Sequence, residues 1–131
     1  MKVMVVDDER DVETLFRQQF RREIKAGLID LCYAFSGEEA LEYLRANEPP
    51  DVVCILSDIN MPGITGLDLL SIVKERYPNI KVSMITAYGD DQNYLTAMSG
   101  GAEHYFTKPI DFAQIKRDLL QNGDASAGPG P

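Results

Sequence analysis

Short apolar runs of five to eight residues alternate with segments whose apolar residues recur every three or four positions, and the pair repeats five times. The strand-like runs are Lys2–Val6, Leu28–Phe35, Val52–Ser57, Ile80–Thr86 and Glu103–Thr107. Behind the first come Val12, Leu15, Phe16, Phe20 and Ile24 at helical spacing, ended by Gly27. Ser36-Gly37-Glu38-Glu39 reads as a capping box opening a helix with Ala40, Leu41 and Leu44. Leu67, Leu70 and Val73 mark a third helix, Asp90–Ser99 a fourth, and Phe112, Ile115, Leu119 and Leu120 a fifth, stopped by Asn122-Gly123. A chain that alternates in this way folds as a doubly wound parallel α/β sheet, here five strands with five helices. The expected domain is residues 1–122. The stretch 123–131, GDASAGPGP, reads as a disordered linker or an added tail.

The 131 residues suit one domain, and 44% hydrophobic residues suit a packed core. The formal charge is −8, which repels phosphate backbones and anionic lipid, so neither nucleic acid nor membrane is an expected partner. No apolar run approaches the roughly 20 residues of a membrane helix, and no signal peptide is evident. The expected location is cytoplasmic. Cys32 and Cys54 lie in apolar runs, with no CxxC pair and a single histidine, so a structural zinc site is not expected. Arg17, Arg21, Arg22 and Lys25 read as a solvated helix face.

Ligands of open α/β sheets bind at the carboxyl ends of the strands. Strand one ends in Asp7-Asp8-Glu9, strand three in Asp58, strand four in Thr86 and strand five in Lys108-Pro109. Three converging carboxylates repel by about 4 kcal/mol per pair at 4 Å under an effective dielectric near 20. A hard divalent cation relieves that repulsion, and Mg²⁺ suits a small carboxylate set that leaves room for water and a phosphoryl oxygen. With the Lys108 cation and the Thr86 hydroxyl, these are the parts of a phosphoryl-transfer site built around a carboxylate nucleophile.

The stretches VMVVDDE at 3–9, LSDINMPGITGLDLL at 56–70, ITAYGD at 85–90 and GAEHYFTKP at 101–109 resemble the response-regulator receiver domains of two-component signalling, the CheY-like family. The resemblance covers roughly residues 2–121 and lies in the family's order and spacing. It implies a flavodoxin-like sheet of order 2-1-3-4-5. It also implies that Asp58 is the phosphoacceptor, taking a phosphoryl group from a sensor histidine kinase or a phosphotransfer protein. By the same carry-over, Asp8, the Asp58 side chain and the backbone carbonyl of Asn60 ligate Mg²⁺, and Asp7 completes the metal site by orienting a metal-bound water. Lys108 pairs with a phosphoryl oxygen, and Lys108–Pro109 is cis. Thr86 moves to the phosphoryl group, helped by the backbone amide of Ala87. Tyr105 is the switch aromatic. The readout surface is the Asp90–Ser99 helix, the fifth strand and the last helix, for a downstream effector, a missing output domain or a phosphorylation-linked homodimer. Asn60 and Tyr88 occupy positions that influence loss of the phosphoryl group to water, and the ring of Tyr88 is expected to shield it.

Such a domain is a switch whose only catalysis is on itself. An aspartate-nucleophile phosphohydrolase carries a second acid two residues on, whereas Asp58-Ile59-Asn60 lacks it. A phosphorylation-independent interaction module would not need Asp7, Asp8, Asp58, Thr86 and Lys108 together. A flavodoxin-like cofactor protein needs a small polar phosphate loop after strand one, where this chain has DDERD.

Overall fold

The computed structural model describes residues 1–87 and 91–127, with 121–127 as backbone only. Tyr88 therefore lies outside the described residues. The strands are β1 (Lys2–Val6), β2 (Asp30–Ala34), β3 (Val52–Asp58), β4 (Lys81–Thr86) and β5 (Tyr105–Thr107). The helices are α1 (Arg10–Gln19), α2 (Arg21–Lys25), α3 (Gly37–Ala46), α4 (Gly66–Arg76), α5 (Asp91–Ser99) and α6 (Phe112–Ala127). All strand pairs are parallel, in the order β2-β1-β3-β4-β5. The expected sheet is present.

Continuous apolar strands need both faces covered. Val3, Val5, Cys54, Leu56 and Ile85 face Val12 and Phe16 of α1 and Ile115 and Leu119 of α6. Met4, Val6, Ile55, Val82 and Met84 face Leu44 of α3, Leu69, Leu70 and Val73 of α4 and Ala97 of α5. Phe16 and Phe20 are fully buried, and Phe112 meets Phe16 edge-on at 5.0 Å between ring centroids. Each such phenyl contributes about 1.5–3 kcal/mol of burial.

Two helix boundaries differ from expectation. The first helical segment is two helices, making six among the described residues, interrupted at Phe20 (φ −100°, ψ 12°). The hydrogen-bond ladder continues through the interruption, since Phe20 N–H donates to Phe16 O and Ile24 N–H to Phe20 O. The bend therefore costs little and lets Phe20 pack on Phe112. Leu15, expected on the apolar stripe, is exposed, because Val12, Phe16 and Phe20 already form the buried row. At the other end, α6 runs through Asn122-Gly123 to Ala127. An interior glycine costs a helix only about 1 kcal/mol, and the alanines beyond it are good helix formers. Among the described residues, no helix is long and apolar enough to cross a membrane.

Candidate functional site

Strand register brings the polar strand ends together. Val6 pairs with Ser57, so Asp7 emerges beside Asp58 at the β1–β3 boundary, where the chain order reverses. Asp58 pairs with Ile85, so Thr86 follows one residue on. Thr86 pairs with Thr107, and Lys108 N–H donates to Thr86 O at 2.8 Å. Four segments distant in sequence thus deliver their functional side chains to one edge of the sheet.

Oxygen atoms of Asp7, Asp8 and Asp58 lie within 4.8 Å of one another. Asp7 is 3% and Asp58 8% exposed, while Asp8 faces solvent. Lys108 Nζ stands 3.4 Å from Asp7 Oδ2 and 3.7 Å from Asp58 Oδ2. At an effective dielectric near 20, each carboxylate pair repels by at least about 3.5 kcal/mol and each lysine contact returns about 4.5–5 kcal/mol. One cation among three anions leaves a deficit. Burial, then the charge of Asp7, pushes the Asp58 carboxyl above the usual range, against Lys108 and backbone hydrogen bonds from Asn60 and Ile59. Burial pulls Lys108 down, but the Asp7 and Asp58 charges outweigh it and hold the ammonium above its ordinary value. An all-oxygen donor set of this size fits a hard cation such as Mg²⁺, with Asp8 its most accessible ligand. Asp7 already accepts from Glu9 N–H at 2.9 Å, which leaves it fewer free lone pairs.

Thr86 is fully buried at the end of β4, and Ala87 is exposed directly after it. Asn60 is exposed in the loop after Asp58. Tyr105 is half-buried, its ring edge-on to Tyr94 of α5 at 5.3 Å. The Lys108–Pro109 bond is cis, as the resemblance implied.

Two residues shape the loop after Asp58 beyond the roles expected from sequence. A Cβ on Gly66 would lie 2.1 Å from the Asp58 carbonyl oxygen and 2.8 Å from Ile59 Cα. Gly66 N–H also donates to Ile59 O at 2.8 Å, closing the loop that follows Asp58. Only glycine permits that approach. Gly66 lies in the 56–70 stretch that carries the family resemblance, and Thr65 and Asp68 already make a complete capping box, so α4 itself has no use for a glycine at its first position. The second is Glu38, in the first turn of α3, whose Oε2 accepts from Ile64 N–H at 3.3 Å and pins the loop around Gly63. The two segments are 26 residues apart, and no local pattern foretells the contact.

Residues 3–120 match the family model described as "Response regulator receiver domain". The chain is 35% identical to the response regulator protein PilR of Pseudomonas aeruginosa over 98% of its own length and 28% of that protein's. It is 41% identical to the DNA-binding transcriptional regulator NtrC of Escherichia coli over 83% of its length and 22% of that protein's. It therefore spans about a quarter of those relatives. With chemotaxis protein CheY1 of Helicobacter pylori it shares 34% identity over 91% of its own length and 94% of that chain's. A CheY-like receiver from Methanospirillum hungatei superposes with a TM-score of 0.84 at 22% identity, covering 98% of each chain. TrrA of Thermotoga maritima, determined with Mg²⁺ and BeF, gives 0.77 at 26% identity, covering 92% of this chain and 96% of TrrA.

Proposed function

This chain belongs to the response regulator receiver family, whose function is phosphorylation-dependent switching, and from that premise we propose that Asp58 is its phosphoacceptor. The observation that carries the reading is the buried Asp58 carboxylate beside Asp7 and Asp8, with Lys108 Nζ 3.7 Å away. The receiver unit is residues 1–122. Asp8, the Asp58 side chain and the Asn60 carbonyl would hold Mg²⁺, and Asp7 would complete the site by orienting water. When bound, the ion neutralises the carboxylates and withdraws charge from the phosphoryl oxygens.

The donor is phosphohistidine of a sensor kinase or phosphotransfer protein. An Asp58 oxygen attacks phosphorus, the donor's P–N bond breaks, and the imidazole nitrogen leaves with the electron pair. The product places about −1.5 to −2 charge beside Lys108. Lys108 turns from the carboxylates to a phosphoryl oxygen. Thr86 and the Ala87 amide close on the same group, and Tyr105 follows as the switch aromatic. The population then shifts toward the closed arrangement. The readout face of α5, β5 and α6 bears exposed Tyr94, Leu95 and Met98, which supports docking of an effector, an output domain or a second phosphorylated copy. The acidic surface disfavours nucleic acid, and the setting is cytoplasmic.

Incubation with Mg²⁺ and acetyl phosphate, followed by intact-mass spectrometry, tests this. A metal-dependent gain of one phosphoryl group, absent in Asp58→Asn, is expected. An equal gain in Asp58→Asn would refute the assignment.

A further inference from the structure

We propose that Arg10, seated on the ring of Phe35, is a donor-side specificity residue that meets the phosphoryl dianion as it enters the carboxylate cluster; this rests on the reading of Asp58 as the acceptor. Arg10 opens α1, two residues past Asp8. Phe35 follows β2, and Asp7 N–H donates to the carbonyl of the preceding Ala34 at 3.1 Å. Phe35 thus stands at the same sheet edge as the cluster, on the β2 side. The Arg10 guanidinium carbon lies 4.1 Å from the Phe35 ring centroid. Two cations therefore flank the acids, with Lys108 on the β5 side and Arg10 on the β2 side.

The pairing is not what α1 alone would choose. A positive charge at a helix N-terminus opposes the macrodipole. Glu9 and Asp11 adjoin Arg10 in sequence, yet among the described residues Arg10 makes no ion pair. Arg17 and Arg45, by contrast, each hold a carboxylate on their own helix. The Phe35 ring holds the guanidinium without using its N–H donors. Those N–H groups suit phosphoryl oxygens, which take bidentate donors. Arg10 transfers no proton and forms no bond. In the step it assists, an Asp58 oxygen binds phosphorus, and the donor leaves with the electron pair of the broken P–N or P–O bond. Its contribution is to draw an anion toward a rim that carboxylates otherwise make repulsive.

The test uses the full chain with Mg²⁺ and compares wild type, Arg10→Gln, Arg10→Lys and Phe35→Leu. Initial phosphorylation rates are read by intact mass from two small donors. Acetyl phosphate is a dianion at neutral pH, whereas phosphoramidate carries its own ammonium and one net negative charge. At low salt, Arg10→Gln should slow acetyl phosphate about three- to fivefold and phosphoramidate less, and both deficits should fade at high salt. Arg10→Lys should retain most of the rate, and Phe35→Leu should fall in the same direction by less. Mg²⁺ affinity, read by tyrosine fluorescence, should move oppositely and tighten about twofold in Arg10→Gln, a sign that lost packing does not produce. A histidine-phosphorylated phosphotransfer domain as third donor separates sources: slowing there too extends the role to protein donors, and its absence confines the role to small ones. Equal slowing with both small donors, slowing that salt leaves unchanged, or none would overturn the proposal. If wild type itself gains no phosphoryl group, the acceptor reading falls and this one with it. If wild type gains one and Arg10→Gln matches it, only this proposal falls.

Discussion

Replacing Gly66 by alanine isolates the geometry that holds Asp58. The added Cβ would sit 2.1 Å from the Asp58 carbonyl oxygen, 2.8 Å from Ile59 Cα and 2.9 Å from the Asp58 carbonyl carbon. An ordinary contact begins near 3.4 Å, so the gap to open is 3.4 − 2.1 = 1.3 Å. All three obstructing atoms are backbone, and β3 is hydrogen-bonded on both sides, so it cannot retreat. Gly66 has no positive φ, so in open space alanine would favour the helix by up to about 1 kcal/mol. Overpacking of this kind costs about 3 kcal/mol net, at the upper end of its usual range. With a urea slope of about 2 kcal/mol/M, the unfolding midpoint should fall by about 1.5 M. If the loop yields instead, stability survives but Asp58 is displaced, and phosphorylation by acetyl phosphate should fall about 100-fold. Gly27→Ala is the companion: its φ is +75° but nothing lies within 4 Å, so it should lose only about 1 kcal/mol of stability, to backbone strain, and phosphorylate normally. A Gly66→Ala protein with its midpoint and its rate both unchanged would refute the close-approach argument.

Asp58 has a raised carboxyl in the fold, so the folded state binds its proton more tightly than the unfolded chain does. Stability must then fall as pH rises from about 4, the unfolded carboxylate value, through the folded one. In metal-free buffer, Asp58→Asn should therefore unfold at higher urea than wild type near pH 7, and the advantage should vanish toward pH 4. An advantage that persists at pH 4 would point to another cause. The Cys54 thiol is pushed up by burial from an ordinary value near 9 to about 12. Stability should fall above pH 9, as the unfolded chain ionises this thiol while the fold keeps it protonated, and Cys54→Ala should show a shallower alkaline decline in urea titrations. Lys108→Met removes the ammonium that stands 3.4 and 3.7 Å from Asp7 and Asp58 and competes with any cation there. Mg²⁺ should bind severalfold more tightly by tyrosine fluorescence; unchanged or weaker binding would count against a shared site.

The sheet was legible because the central strands β1, β3 and β4 are buried on both faces and read as apolar runs, while α1, α3, α4 and α6 show their apolar stripes. The site was legible because in such a sheet any polar residue just past a strand lands on one edge, and register does the rest: Val6 against Ser57 forces Asp7 beside Asp58. What local pattern cannot carry is contact between distant segments. Phe16, Phe20 and Ile24 keep helical spacing through a bend, so periodicity is blind to the interruption at Phe20. Leu15 fits the stripe in sequence but loses its place to three larger or better-placed neighbours. Gly66 and Glu38 act on the Asp58 loop by backbone approach and a carboxylate reach, neither of which has a period.

The same rigidity that fixes the acids limits how the domain can respond to a new charge. Asp58 and Thr86 belong to adjacent, buried ends of β3 and β4, and the parallel register between them leaves neither strand free to slide. Lys108 is tied to Thr86 through its own backbone N–H. On the proposed reading, a phosphoryl group on Asp58 therefore acts on side-chain rotamers rather than on the sheet. Tyr105 leads outward from there: its neighbour Phe106 is core, its strand partner is Met84, and its ring rests edge-on against Tyr94 of α5. An edge-to-face pair of this kind is worth about 0.5–1.5 kcal/mol beyond its burial, small enough for a phosphoryl dianion to overturn and large enough to hold the unphosphorylated arrangement. On the proposed reading of Asp58 as acceptor, the Tyr105–Tyr94 contact is the link by which the new charge reaches the proposed readout face of α5, β5 and α6.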